Sequence, residues 1–330
     1  ETLPKMLKEV AEKYPQIAAQ YSKDSKGQFQ PTSFSEMYDI ALNFGAGLLS
    51  IGVSRGDHIG LISDNRKEWQ QSDMGIMAIG AIDVPRGCDA SEKDLSYILS
   101  FAECKTVIVE NSAQITKIVG LQKTIPTLAH LICFESLKEE DKNLCESANL
   151  TLMSYEEVLS KGINYRKENP LVVEKELDKG KREDLACIIF TSGTTGEPKG
   201  VMLQHSNFIV QLEDLPSRIY LKPGDKALCV LPVWHAFQRL CEYMILVQAS
   251  AICYSKPVGS IMLADFVKLN PRLMPAVPRV FEAVYEGVMR SMRKTGGVVN
   301  ALFKFFLAVS LLQCKIDRIL FRKIARFKKD

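Results

Sequence analysis

The sequence predicts an α/β protein with doubly wound, largely parallel sheets and flanking helices. Two observations carry this. Short apolar runs, including residues 58–62, 105–109, 130–134 and 185–190, are bounded by polar turn residues, as buried strands are. Between them lie longer segments with apolar residues three and four apart. Strand and helix therefore alternate along the chain, which is the pattern of a parallel sheet built from crossover helices.

Taken in order, residues 5–13 form a first helix with Met6, Leu7, Val10 and Ala11 on one face. Residues 34–51 form a second, with Phe34, Met37, Ala41 and Leu48 at helical spacing, stopped by Gly52. Residues 58–62 are a strand, and Asp64 caps a helix running through Gly80. Residues 81–85 are a strand. Ser91 caps a helix to Phe101, with Glu92 and Asp94 at its positive end. Residues 161–184 are polar and weakly periodic, and are expected to form a surface connection between sub-units at 1–160 and 185–330. Farther on, strands are expected at 227–231, 251–254 and 273–277, and helices at 235–248, 260–269 and 279–292.

Composition narrows the function. The chain is 46% hydrophobic and 25% charged, the balance of a soluble globular protein. A net charge of +3 gives no argument for nucleic acid. The nine cysteines include no Cys-x-x-Cys, and Cys187, Cys229 and Cys253 lie inside apolar runs. Buried reduced thiols and a cytoplasmic location follow as expectations. The four histidines are not paired with cysteines at zinc-ligand spacing. Residues 1–5 do not read as a signal peptide. No uninterrupted apolar run approaches the roughly 18 residues of a membrane span; the nearest, 298–312, contains Asn300 and Lys304. Charge is uneven: from Arg290 onward eleven Lys/Arg face only Asp317 and Asp330, a net of +9 that leaves −6 on the remainder.

The chemistry centres on Thr191-Ser192-Gly193-Thr194-Thr195-Gly196-Glu197-Pro198-Lys199-Gly200, which leaves the end of the apolar run 185–190. Glycines let backbone N–H groups turn toward an anion, hydroxyls add neutral donors, and Lys199 adds a point charge. The composition fits a polyphosphate cradle or a flexible surface loop. It is not the Walker pattern, in which Gly-Lys-Ser/Thr runs into a helix. His235 follows the apolar run 227–231. It reads either as a helix cap or as a site residue at a strand end, where α/β sheets bind ligands. Trp234, Phe237 and Tyr243 nearby are core aromatics or the lining of a tunnel for the apolar part of a ligand. His58, His130 and His205 are read as structural.

The order T-S-G-T-T-G-x-P-K-G resembles the phosphate-loop signature of the adenylate-forming, AMP-binding superfamily. Pro31-Thr32-Ser33-Phe34-Ser35-Glu36, Asp64-Asn65-Arg66-x-x-Trp69, residues 80–87 and Val277-Pro278-Arg279-Val280-Phe281-Glu282 are similar to its long-chain fatty acyl-CoA synthetase branch. The resemblance implies ATP, Mg²⁺ and coenzyme A as cofactors or cosubstrates, and a fatty acid activated as acyl-adenylate and then acyl-CoA. It implies nucleotide binding by Thr191, Ser192, Gly193, Thr194, Thr195, Gly196 and Lys199. Thr191 would hold Mg²⁺, Lys199 would meet the departing pyrophosphate, and His235 would stand beside the acyl carboxylate. The branch commonly has Glu where this chain has Gln238, which puts a charge pair with Arg239 in doubt.

The family's later Tyr-Gly-x-Thr-Glu and Thr-Gly-Asp motifs and its small C-terminal domain are not found in 1–330. The chain is therefore expected to be an incomplete N-terminal AMP-binding domain that does not catalyse adenylation by itself. Two rivals stand beside fatty acid activation: a ligase for another carboxylate, and a non-catalytic nucleotide- or membrane-binding module. In the tail, Ile316, Ile319, Leu320, Ile324 and Phe327 share a helical face, with Lys315, Arg318, Arg322, Lys323 and Arg326 mostly off it. That pattern suits either packing on the body or peripheral contact with an anionic membrane. Homo-oligomerisation is left open.

Overall fold

The computed structural model describes residues 1–191 and 197–327, with side chains to residue 319. It divides into two compact units, 1–275 and 276–330. In the first unit the strands are β1 Ala18–Lys23, β2 Phe29–Ser33, β3 His58–Ile62, β4 Ile82–Arg86, β5 Thr106–Val109, β6 His130–Cys133, β7 Thr151–Ser154, β8 Leu185–Thr191, β9 Lys199–Gln204, β10 Lys226–Cys229 and β11 Ala251–Tyr254. Its helices are α1 Leu3–Lys13, α2 Phe34–Ser50, α3 Lys67–Ala78, α4 Glu92–Phe101, α5 Ser112–Gly120, α6 Glu139–Ser147, α7 Tyr155–Glu168, α8 Val172–Lys179, α9 His205–Arg218, α10 Ala236–Val247 and α11 Gly259–Leu269. The second unit holds α12 Pro278–Thr295 and α13 Gly297–Phe327.

The larger sheet has seven strands in the order β7-β6-β5-β3-β4-β8-β9, parallel except for β9. Both its faces are covered, so the strands read as continuous apolar runs. Within β5, Val107 and Val109 point to one face, into a core shared with Leu95, Leu99 and Ile115 of α4 and α5. Ile108 points to the other, with Phe44, Ile76 and Val158 of α2, α3 and α7. This is the period of two that any strand imposes. The smaller sheet, β10-β11-β1-β2, packs on a third core built by α1, α9 and α10.

Several expectations change. Asp64 does not cap α3; the helix begins at Lys67 with Arg66 at its N-cap, and the Asp64 backbone N–H donates to Glu110 instead. Residues 161–184 are mostly helical, because Val173 and Leu177, four apart, bury themselves against α2 and α3. Residues 273–277 make only an isolated bridge, Leu273 to Ala227. Strands from before and after the 161–184 segment mix in both sheets, β8 and β9 joining β3–β7, and β10 and β11 joining β1 and β2. The expected caps at Ser33 and Ser91 are present, Ser33 as a full capping box with Glu36.

α2 and α7 cross closely. A Cβ on Gly162 would lie 1.7 Å from the Asn43 carbonyl oxygen, so only glycine fits without moving one helix. Gly162→Ala is therefore expected to cost about 1–3 kcal/mol or more in urea melts. Gly120→Ala, where the added carbon meets nothing within 4 Å, should stay near neutral. Equal effects of the two would refute the close crossing.

Candidate active site

β3, β4, β5, β6 and β8 run parallel, so their carboxyl ends share one edge of the larger sheet. Open α/β sheets take ligands at that edge. β8 ends there at Thr191, and the chain returns in β9 from Lys199. Thr191 and Lys199 are direct antiparallel partners, and both are exposed. Directly opposite residues of an antiparallel pair share a face. The hairpin thus sets one hydroxyl and one ammonium side by side, with hard oxygen and positive charge facing solvent together. Ser192, Gly193, Thr194, Thr195 and Gly196 lie outside the described residues.

A cleft of about 540 Å³ opens where strand ends of both sheets meet, lined among others by Asp64, Arg66, Glu110, Pro232, Trp234 and Lys256. Asn65 joins its walls. Its amide donates to the Leu231 carbonyl at 2.6 Å, and its carbonyl oxygen accepts from the Val233 N–H at 2.9 Å. The segment after β10 is thereby pinned to the segment after β3. The Arg86 guanidinium sits over the Trp234 ring, 5.2 Å from its centre. Gly87 is a contact requirement here, since a Cβ would come within 2.4 Å of the indole nitrogen.

His235 lies beside Trp234 with ring centres 4.1 Å apart and the ring planes tilted by 34°. It occupies the N-cap position of α10 but makes no side-chain cap, so the simple capping reading fails. Burial of part of the ring, then the nearby Arg86 charge, lower its pKa below the usual histidine value. The imidazole is neutral at pH 7, with one nitrogen to donate and one to accept. Among the described residues no hydrogen bond or ring contact joins it to Thr191 or Lys199. Phe237 is exposed. Tyr243 is not a cleft residue; it is fully buried in the polar cluster described next. Two of the other histidines make structural contacts: His205 is buried and accepts from the Leu3 N–H, burial driving its pKa down to about 4, and His58 Nδ1 meets the Ala102 carbonyl at 2.7 Å.

The sequence did not reveal that Arg239 is wholly buried between two carboxylates. Its guanidinium makes a bidentate pair with Asp83 of β4, at 2.6 and 2.8 Å, and a further bond to Asp73 of α3. Its Nε donates to the Tyr243 hydroxyl, which in turn donates to Asp73 at 2.7 Å. Burial, with the like charge of Asp83, raises the Asp73 pKa against the pull of Arg239. Next to Arg239 and Tyr243 in the helix, Gln238 donates to Glu242 one turn on, at 2.9 Å, both buried. Where the resemblance expected an acid beside Arg239, the acid stands at 242 and Gln238 neutral next to it. Burial pushes Glu242 up to about 8, so it is protonated at neutral pH.

Asp64, Cys88 and Glu110 bring ligand atoms within 4.8 Å of one another at the cleft. Burial, then Glu110 and Asp64, push the Cys88 thiol up to about 12, so it stays protonated, which leaves two carboxylates. For Mg²⁺, which keeps several waters and phosphate oxygens, the Thr191 hydroxyl is a suitable single protein ligand.

The sequence matches the AMP-binding enzyme family over residues 7–307. The chain belongs to that family. Among its relatives is a chloroplastic long-chain-fatty-acid–[acyl-carrier-protein] ligase of Arabidopsis thaliana, 29% identical over 290 residues, covering 87% of this chain and 39% of the relative. Another is long chain acyl-CoA synthetase 3 of the same plant, 29% identical over 288 residues, covering 84% and 42%. The chain thus spans about two fifths of the length of these curated relatives. Solved structures share the fold. The adenylation domain of a carboxylate reductase from Mycobacterium chelonae superposes with a TM-score of 0.73 at 19% identity, over 90% of this chain and 49% of that one. The N-terminal domain of FACL13 from Mycobacterium tuberculosis gives 0.67 at 20%, over 86% and 64%.

Glu242 gives a pH test. Its folded pKa of about 8 lies above the ordinary 4.5. Below pH 4.5 both folded and unfolded forms hold the proton and nothing is lost. Between 4.5 and 8 only the folded form holds it, so stability falls as pH rises, by at most about 1.4 kcal/mol per unit. Urea melts of wild type and Glu242→Gln should diverge across that window, the variant holding up better toward pH 8. Parallel pH profiles would contradict a buried neutral acid.

Proposed function

We propose that the chain carries the nucleotide- and carboxylate-handling part of an enzyme that activates a long-chain fatty acid with ATP, giving first the acyl-adenylate and then acyl-CoA. The observation behind this is the hairpin that sets Thr191 and Lys199 together at the carboxyl edge, at the two ends of T-S-G-T-T-G-E-P-K-G. The relatives' names support the long acyl substrate and the ligase chemistry. In the reaction a carboxylate oxygen attacks the α-phosphorus of ATP, the bond to the β-phosphate oxygen breaks, and pyrophosphate leaves. The thiolate of coenzyme A then attacks the acyl carbonyl and AMP departs.

Each residue has a physical task in that scheme. Lys199 meets charge that grows on the leaving pyrophosphate, an interaction stronger in the transition state than before it. The Thr191 hydroxyl would help hold the Mg²⁺ that accompanies ATP, which would supply neutralisation of the phosphate oxygens. Residues 192–196 supply backbone and hydroxyl donors. Neutral His235 can donate to the acyl carboxylate without adding charge, and Trp234 walls the apolar side. The nearby carboxylates of Asp64 and Glu110 repel a second anion from that part of the cleft.

In the full-length protein, fatty-acid-dependent ATP–pyrophosphate exchange should be present with long-chain acids and weak with short or aromatic ones. Lys199→Ala and Thr191→Ala should each lower the exchange rate by about 10²-fold, the scale of losing one charge-stabilising group. Both sites are exposed, so melting should not move. Unchanged exchange in both variants would overturn the assignment of the hairpin, and exchange with aromatic acids alone would overturn that of the substrate.

A further inference from the structure

The second unit presents a broad exposed apolar surface. α13 runs for 31 residues, and its stretch Gly297–Ile319 is long and apolar enough, by length and composition, to cross a membrane. The broken apolar run seen in sequence is thus one continuous helix. Val298, Leu302, Phe305, Val309, Leu312 and Ile316 recur at alternating spacings of four and three, and all are exposed. Val299 and Phe306 widen the same face and are exposed as well. The half-buried side carries Asn300, Phe303 and Leu307.

Charge on this helix is arranged against that face. Lys304 and Arg318 lie on the opposite strip, which they share with the exposed Leu311, and Lys315 lies at the edge of the apolar face, at about 3.6 residues per turn. The only acid between Arg290 and Lys329 is Asp317, and the sequence continues with Arg322, Lys323 and Arg326. A helical partner of the coiled-coil kind would be selected by charges flanking the apolar seam. Here those flanks hold Val299, Phe306 and Gln313 on one side and Ala301, Ala308 and Lys315 on the other, so the one charge among them is positive and a second copy would set a like charge alongside. A broad apolar face with a basic back instead matches a helix lying in an anionic lipid interface. Spanning would place Lys304 about 10 Å inside the hydrocarbon, at 1.5 Å per residue from Gly297; lying flat keeps all three cations at headgroup level.

We propose that α13 docks flat on an anionic lipid surface through its 298–316 face, with Lys304, Lys315 and Arg318 reaching the headgroups. The docking face lies upstream of the 315–329 segment that the sequence pattern pointed to. Membrane docking and the ligase reading are separable, because vesicle binding is measured without turnover. The test uses the full-length protein and co-sedimentation with phosphatidylcholine vesicles, with and without phosphatidylserine. Binding should require phosphatidylserine, fall with added salt, and drop at least tenfold in Lys304→Gln/Lys315→Gln/Arg318→Gln, each near-surface cation adding to affinity. Phe305→Ser/Val309→Ser should drop it similarly, with circular dichroism melts unchanged because both residues are exposed. Equal pelleting of wild type and both variants would overturn the proposal. So would absence of pelleting with phosphatidylserine, or self-association lost in Phe305→Ser/Val309→Ser without vesicle binding, which would give the face to a second copy or to the rest of the chain.

Discussion

The first unit depends on one buried ion cluster. Arg239 from α10, Asp73 from α3 and Asp83 from β4 meet with no exposure to water, with Tyr243 closing the ring of bonds. Each charge would be costly to bury alone, by several kcal/mol even after relaxation. Together they are tolerated because the geometry is bidentate and nearly every polar atom has a partner. The guanidinium also faces the rings of Trp69, Phe208 and Tyr243 within 6 Å. These contacts draw the cluster's members from both sheets' surroundings: β4 is in the larger sheet, while α10 packs on the core of the smaller one. The two sheets therefore cannot slide past each other without stripping Arg239 of a partner.

That constraint reaches the cleft through α10. Its first turn carries His235, and the Arg239 N–H donates to the His235 carbonyl. The same β4 that holds Asp83 ends at Arg86, whose side chain lies over Trp234. Asn65 fixes the intervening segment from the other side. The buried cluster, the Asn65 staple and the Arg86–Trp234 contact thus form one support under a cleft whose walls come from separate parts of the chain. Lys199 and Thr191 take their position differently, from strand pairing alone.

Much of this could be read from sequence, and the rest was hidden for definite reasons. The parallel sheet was legible because strands buried on both faces, such as 106–109, are uninterrupted apolar runs. β1 was not, since Gln20 and Ser22 break its pattern; Gln20 is buried only because Tyr254 and Gln71 satisfy its amide. α8 was not, since its two buried residues sit among five polar ones and Val172. The phosphate-loop signature was legible as an ordered string of residues. Its cross-strand pairing of Thr191 with Lys199 needed the structure, because the mostly exposed segment 199–204 does not read as a strand from its sequence. Arg239 was the largest omission: a charged residue in an apolar helix signals burial only when its partners, 156 and 166 residues away, are known.

The direct test of this account is a urea melt of Arg239→Met alone and in combination with Asp73→Asn and Asp83→Asn. Removing the arginine alone leaves two buried carboxylates uncompensated, and the account predicts a loss of about 3–5 kcal/mol. Neutralising the two aspartates in the same chain should recover most of it, giving strong non-additivity among residues that touch. A single variant melting within about 1 kcal/mol of wild type, or effects that simply add, would contradict the claim that this cluster holds the two sheets together.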